Sequence, residues 1–158
     1  MIRKLYPYPP RIYESLPGVH KTCYYNVELS AYLKIKAKEL LIQIGTQEEK
    51  LKRVFLRAFF DDEGSVYWIG NRRAVRGYQY NSKLLYLIQR LLEDFHVESS
   101  ADEKFNEITI TRRKNIEQFE REINFSKGVH VNGYRSNSIW KKSLEKRKIL
   151  RMALASYL

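Results

Sequence analysis

Residues 54–64 read VFLRAFFDDEG. Between Val54 and Phe60 only Arg57 is polar, so a helix over this stretch is apolar almost all round. Such a helix is buried on several sides rather than laid on a surface. In a small sheet domain one of its faces covers the sheet, and the other apolar face needs a second partner. Ala58, in the middle, is small enough for another helix to approach closely. An identical helix of a second subunit, related by a twofold axis, meets that need. A homodimer through the helix over residues 50–62 is therefore expected.

The same helix ends in Asp61, Asp62 and Glu63, just before Gly64. The macrodipole is negative at a helix C-terminus, so each acid there is disfavoured by about 0.3–1 kcal/mol. A bound cation reverses that local electrostatics. In a twofold pair two acid ends meet side by side, and paired carboxylates with a divalent metal are the parts for cutting a phosphodiester. Hard carboxylate oxygens suit Mg²⁺, which keeps waters able to act as nucleophile. Mn²⁺ is the plausible substitute, and Ca²⁺ is expected to bind without catalysis. Glu63 and Asp62 are the candidate metal ligands. An acidic turn that simply faces solvent is the alternative for DDEG taken alone.

Charge names the partner. The chain has 29 Lys and Arg against 18 Asp and Glu, a formal net charge of +11. That surplus is heaviest beyond Lys127 and points to a polyanion, with nucleic acid first. A membrane partner is disfavoured, because no apolar run approaches the roughly 18 residues of a span and no long helix pairs a basic with an apolar face. No small-molecule substrate is indicated. The opening MIRKLYPYPP lacks the apolar stretch of a signal peptide. Cys23 is the single cysteine, so an intrachain disulfide is impossible and a cysteine-based zinc site implausible. An intracellular, cytoplasmic setting is expected. His20, His96 and His130 lack metal-ligand spacing and receive no role.

Two regions are expected: an N-terminal arm with a short strand–helix extension over 1–47, and a core over 48–158 closed by a basic helix. The four prolines lie within residues 1–20, which read as an irregular arm. Tyr24–Leu29 has strand composition and Lys34–Ile44 helical composition. Thr46 with Glu49 looks like a capping box for the acid-ended helix. Ser65–Asn71 and Val75–Tyr80 read as a hairpin turning at NRRA. Ser82 would cap a helix over Lys83–Phe95. Val97–Ala101 and Glu107–Arg113 form a second hairpin, followed by helices over Asn115–Phe125 and Ser138–Tyr157. The fold class is α+β, in the order α-β-β-α-β-β-α: a four-stranded antiparallel sheet with helices on one face and the other face free and polar.

FLRAFFDDEGSV resembles the LAGLIDADG motif of homing endonucleases, with Leu56 to Gly64 standing on its nine letters. The likeness extends over about residues 48–125, through the LL-x-x-I-x-x-LL pattern of Leu84–Leu92 and through NEITITRRKNIEQFEREINF. The tail NSIWKKSLEKRKIL resembles basic C-terminal segments of archaeal members, and YYNVEL…KAKELLIQIG looks like the end of a preceding repeat. The resemblance implies a site-specific double-strand DNA endonuclease, cutting across the minor groove. One motif copy implies a homodimer on a long, near-palindromic target, in a free-standing or intron-encoded enzyme of archaeal or organellar setting. It implies Glu63 as metal ligand and a structural role for Asp61, with Ala58 and Gly64 as motif positions; Asp62 replaces a small residue. It also implies a basic residue near the scissile phosphate, supplied from before the last helix. Lys141 and Lys142 are the candidates, with Lys127 and Arg135 behind them. Relatives of this fold that do not cut, as intron maturases or as DNA- or RNA-binding proteins, are the alternative.

DNA reading falls to the free sheet face. Val66 and Trp68 point inward, so Tyr67, Ile69, Asn71 and Arg73 alternate outward, with Arg72 and Arg73 at the hairpin tip. Arg–guanine and Asn–adenine pairing would read sequence in the major groove. The phase of the second strand, with Arg76, Tyr78 and Tyr80 against Val75, Gly77 and Gln79, stays open. Gln79 and Asn81 are placed near the acids by the resemblance. In the second hairpin Thr109, Thr111 and Arg113 face outward, with Glu98, Ser100 and Glu107.

Overall fold

The computed structural model describes residues 9–16, 19–23, 26–131 and 140–157. The chain divides into two compact units, Met1–Leu40 and Leu41–Leu158.

In the first unit β1 (Arg11–Leu16) pairs antiparallel with β2 (Val19–Cys23), Arg11 standing opposite Cys23. Of the irregular arm expected over residues 1–20, residues 1–8 and 17–18 lie outside the described residues, and Arg11–Leu16 with the start of β2 is corrected to a hairpin. No proline falls inside either strand, so the ladder loses no donor. Helix α1 (Val27–Gln43) follows. It replaces the strand expected at Tyr24–Leu29, of which Tyr24 and Tyr25 lie outside the described residues. The Asn26 side-chain oxygen accepts the Leu29 N–H at 2.7 Å. That local cap starts a helix where aromatic and β-branched composition alone favours a strand.

A 3₁₀ turn at Ile44–Thr46 leads to α2 (Glu49–Glu63). The capping box expected at Thr46 does not form. The Thr46 hydroxyl donates to the Gln43 carbonyl at 2.9 Å, and Glu48 occupies the N-cap without a side-chain bond. Then come β3 (Gly64–Ile69), β4 (Arg72–Tyr78), α3 (Ser82–Glu93), β5 (Ser100–Asp102), β6 (Glu107–Ile110) and α4 (Arg113–Glu122). The sheet is four-stranded and antiparallel in the order β3-β4-β6-β5. The fold class expected from the sequence is the one observed.

Buried positions say which face carries the core. Leu56 and Phe60 of α2, Leu85, Ile88, Leu91 and Leu92 of α3, and Ile116 and Phe119 of α4 pack on Val66, Val75, Ile108 and Ile110 of the sheet. Fully burying each such side chain stabilises by about 1.5–3 kcal/mol. Phe60, Phe119 and Phe125 form an edge-to-face chain, with centroids 4.9 and 5.6 Å apart. Val66 lies opposite Val75, and Val75 opposite Ile110, which settles the phase of β4: Val75 and Gly77 point inward, Arg76 and Tyr78 to the open face.

The last segment departs furthest from expectation. Instead of one long basic helix over Ser138–Tyr157, β7 (His130–Val131) pairs with β8 (Leu144–Glu145), and α5 spans only Lys146–Ala155. Trp140 sets this path, because its ring packs against Trp68 of β3 with centroids 6.0 Å apart. Lys141 takes a positive φ of 51°, which breaks any helix running through it.

Candidate functional site

The acid turn of α2 is tied down from three directions. Arg57 Nε donates to the Ile123 carbonyl at 2.7 Å. Asp61 Oδ1 accepts the Ser126 N–H at 2.8 Å. Lys146, at the start of α5, donates its Nζ to the carbonyls of Asp61 and Phe60 at 2.6 and 3.3 Å. The Asp61 carbonyl is among the acceptors a helix C-terminus leaves unpaired, whereas that of Phe60 also accepts the Gly64 N–H; an ammonium there complements the macrodipole as well. The cation demanded by three acids at a helix C-terminus is thus supplied in part by the chain itself. Lys146 is buried, and its Nζ lies 5.6 Å from the centre of the Phe125 ring. Burial pushes its ammonium below the ordinary lysine value, against the pull of Asp61, Asp62 and Glu63.

Asp62 and Glu63 themselves are exposed. Beside them stand Tyr78 and Tyr80, ring centroids 5.1 Å apart. Their mutual hydrogen bond, and then burial and the nearby Glu63, hold the Tyr78 hydroxyl above its usual value. Among the described residues no group of three or more His, Cys, Asp or Glu is arranged to hold a metal ion.

Lys141 and Lys142 are exposed and follow Trp140, which packs four residues along β3 from Gly64. Lys127 is exposed, one residue beyond Ser126, and Arg135 lies outside the described residues. Lys146 was missed. Its signal is present in the sequence: Lys146, Ile149, Leu150 and Ala153 keep helical spacing, so a lysine occupies a core position of an amphipathic helix.

On the open face of the sheet, Tyr67, Arg72, Arg76, Thr109, Thr111 and Arg112 line a concavity of about 550 Å³. Arg76 lies over the Tyr67 ring at 5.1 Å and forms a two-point pair with Glu107, at 2.7 and 2.5 Å. Thr109 donates to the same carboxylate at 2.8 Å. Ile69 is exposed at the end of β3, and Asn71 sits in the turn.

Several sequence placements on this face need correction. The turn is the two residues Gly70 and Asn71, Gly70 having a φ of 54°, so Arg72 and Arg73 belong to β4 rather than to the tip. Arg73 pairs opposite Trp68, in phase with the buried Val66 and Val75, and still borders the concavity beside Tyr157. Its guanidinium donates to the Ser156 hydroxyl and carbonyl, both at 2.7 Å, and lies over the Tyr157 ring at 4.6 Å. The chain reverses at Gly70–Asn71, so the outward alternation that starts at Tyr67 does not continue through the turn to Arg73. β6 stops at Ile110, and Arg112, with a φ of 65°, turns the chain into α4. Arg113 is therefore helical, bonding Glu117 at 2.7 Å. Asn81, not Ser82, caps α3, its side chain accepting the Leu84 N–H at 3.2 Å. Gln79 Oε1 accepts the Asn81 N–H at 3.0 Å, so both side-chain oxygens already serve the backbone. Arg112 and Tyr157 border the concavity and were missed, because each depends on a turn that sequence periodicity does not locate.

A helix that runs through an acid turn straight into an antiparallel α-β-β-α-β-β-α layer is consistent with the LAGLIDADG fold. Residues 50–124 match the family model described as a LAGLIDADG-like domain, which supports the LAGLIDADG family for this chain. No curated protein and no solved structure matches it.

Proposed function

We propose that this chain is a metal-dependent, site-specific double-strand DNA endonuclease acting as a homodimer, in the manner of intron-homing enzymes. One observation carries the reading: two exposed carboxylates, Asp62 and Glu63, stand on a helix end fixed by Arg57, Asp61 and Lys146. The donor set suits Mg²⁺, which is commonly held by one or two carboxylates together with substrate phosphates and water. Asp62 and Glu63 would hold it, and when bound it supplies Lewis acidity and an activated nucleophile. The chain's own groups do the rest. Lys146 and Asp61 fix the backbone from which Glu63 projects, and the groove around Arg72, Arg76 and Arg112 offers guanidinium groups to phosphates and guanines.

The dimer is supported by α2. Leu51 and Val54 are 45% and 55% exposed, and Ala58 is exposed in line with them. This apolar stripe leads directly to the acid turn, so a twofold copy packed on it sets two Glu63 side chains near one another.

Cleavage-site selection on a random DNA library with Mg²⁺ tests the activity and the near-palindromic target together. Glu63→Gln should abolish cutting while keeping DNA binding in Ca²⁺. Cutting retained by that variant overturns the assignment of Glu63. RNA binding with no DNA cleaved by the unaltered protein favours the maturase reading instead.

A further inference from the structure

A second cationic surface lies off the sheet. Lys127, Arg147, Lys148 and Arg151 surround a cleft of about 220 Å³ between the β7–β8 side and the first turns of α5. The acid at this cleft, Glu145, is already engaged: its Oε1 accepts the Gly128 N–H at 2.9 Å. Arg151 is paired with Glu120 at 3.3 Å. Arg147 keeps its Nε buried with no hydrogen-bond partner among the described residues. Lys127 and Lys148 are exposed. Crowding Lys146, Arg147 and Lys148 into the first helical turn, with no acid among them, opposes the macrodipole by about 0.3–1 kcal/mol per charge. A bound anion offsets both that crowding and the unpaired Nε.

The cleft adjoins the acid turn through two short pieces of chain. Ser126 binds the Asp61 carboxylate and Lys127 follows it; Lys146 binds the Asp61 carbonyl and Arg147 follows it. We propose that this cleft holds a backbone phosphate of the nucleic acid engaged at the acid turn, a contact outside the sheet groove. The inference rests on the proposed function for the identity of the polyanion, and it assigns Arg147, Lys148 and Arg151 to the interface alongside Lys127. Oriented guanidinium and ammonium groups around a concave site suit a phosphate oxygen set. Because a phosphate carries no base identity, the cleft would add affinity without sequence preference.

The test uses a random-sequence duplex, so no target need be known. Binding of the full chain is measured by anisotropy across salt for Lys127→Gln/Lys148→Gln, for Arg147→Gln, and for Lys34→Gln/Lys38→Gln on α1 as the charge-matched control. Phosphate contacts set the slope of log affinity against log salt, so the cleft double variant should lose about 1–2 units of slope and roughly tenfold in affinity at low salt. The α1 control should keep its slope. An unchanged slope in the cleft variants, or an equal loss in the control, overturns the inference. Thermal unfolding checks that the exposed substitutions leave the fold intact. If the unaltered protein cuts no DNA yet the cleft variants lose slope, the nuclease reading falls and the phosphate cleft stands. If it cuts and the slopes do not move, the cleft alone falls.

Discussion

Gly64 faces Gly77 across the first two strands of the sheet, and neither has room for a side chain. A Cβ on Gly64 would lie 2.3 Å from the Phe60 carbonyl oxygen, and one on Gly77 would lie 2.6 Å from the Phe59 ring. The facing pair lets the end of α2 press directly on the sheet, which holds the acid turn against the end of β4. Gly77→Ala should therefore destabilise the protein by about 1–3 kcal/mol through overpacking. Gly64→Ala should cost more, because its clash is with backbone that cannot rotate away. Chemical denaturation of both variants, with Ser65→Ala as an exposed control, checks the order.

Lys146 stabilises by satisfying carbonyls. Lys146→Met keeps the apolar stem and removes the donor to the Asp61 carbonyl at a part-buried helix end, while the Phe60 carbonyl keeps the Gly64 N–H. A loss of about 1–3 kcal/mol is expected from denaturant unfolding. If Lys146 also fixes Glu63, the variant should lose cleavage beyond what its stability predicts at temperatures where it is fully folded. Cleavage equal to that of the unaltered protein would confine Lys146 to the fold.

The apolar stripe of α2 gives a dimer test. Val54→Glu introduces a charge at a position 55% exposed in the single chain, so the monomer fold should change by under about 0.5 kcal/mol. Sedimentation should show a shift from dimer to monomer, with cleavage lost in parallel. A dimer that persists in this variant would move the interface away from α2.

Acid dependence follows from Glu145. The Gly128 N–H, and after it Lys148, His130 and Arg147, hold the Glu145 carboxyl below its ordinary value against the opposing effect of burial. The folded state thus favours the charged form. Its contribution is fully present above the unfolded carboxylate value and is lost as pH falls through the lower folded value. Glu145→Gln should lower stability near neutrality and flatten its fall over that acid window, so that the two proteins converge at low pH. Melting temperature against pH for both proteins reads the difference.

An inference about Arg76 concerns specificity. Its guanidinium is held by Glu107 on the open face. Removing that carboxylate with Glu107→Gln frees a cation and deletes a charge that repels phosphate. Affinity for random-sequence duplex should rise several-fold at low salt, and the discrimination of a selected target over random DNA should narrow. An unchanged affinity would show that Arg76 stays engaged when DNA binds.

By itself the sequence determined the layer order and the run of acids that ends α2. Apolar periodicity marked α2 and α3, alternation marked Ile108 and Ile110, and the burial of those side chains is what holds them in one sheet. Charge pointed to a polyanion, since composition survives folding unchanged. Tertiary structure decided everything that depends on which distant groups meet. The partner of Arg73 was decided by where the hairpin reverses, which sets it opposite Trp68 and within reach of Ser156. Whether Tyr24–Leu29 could be a strand turned on one asparagine cap. Lys146 reaches Asp61 only because α5 packs against β3 and α4, which brings together residues 85 positions apart. Local pattern carries the free energy of each element, but the partner of a buried ammonium is chosen by packing, and packing is a property of the whole fold.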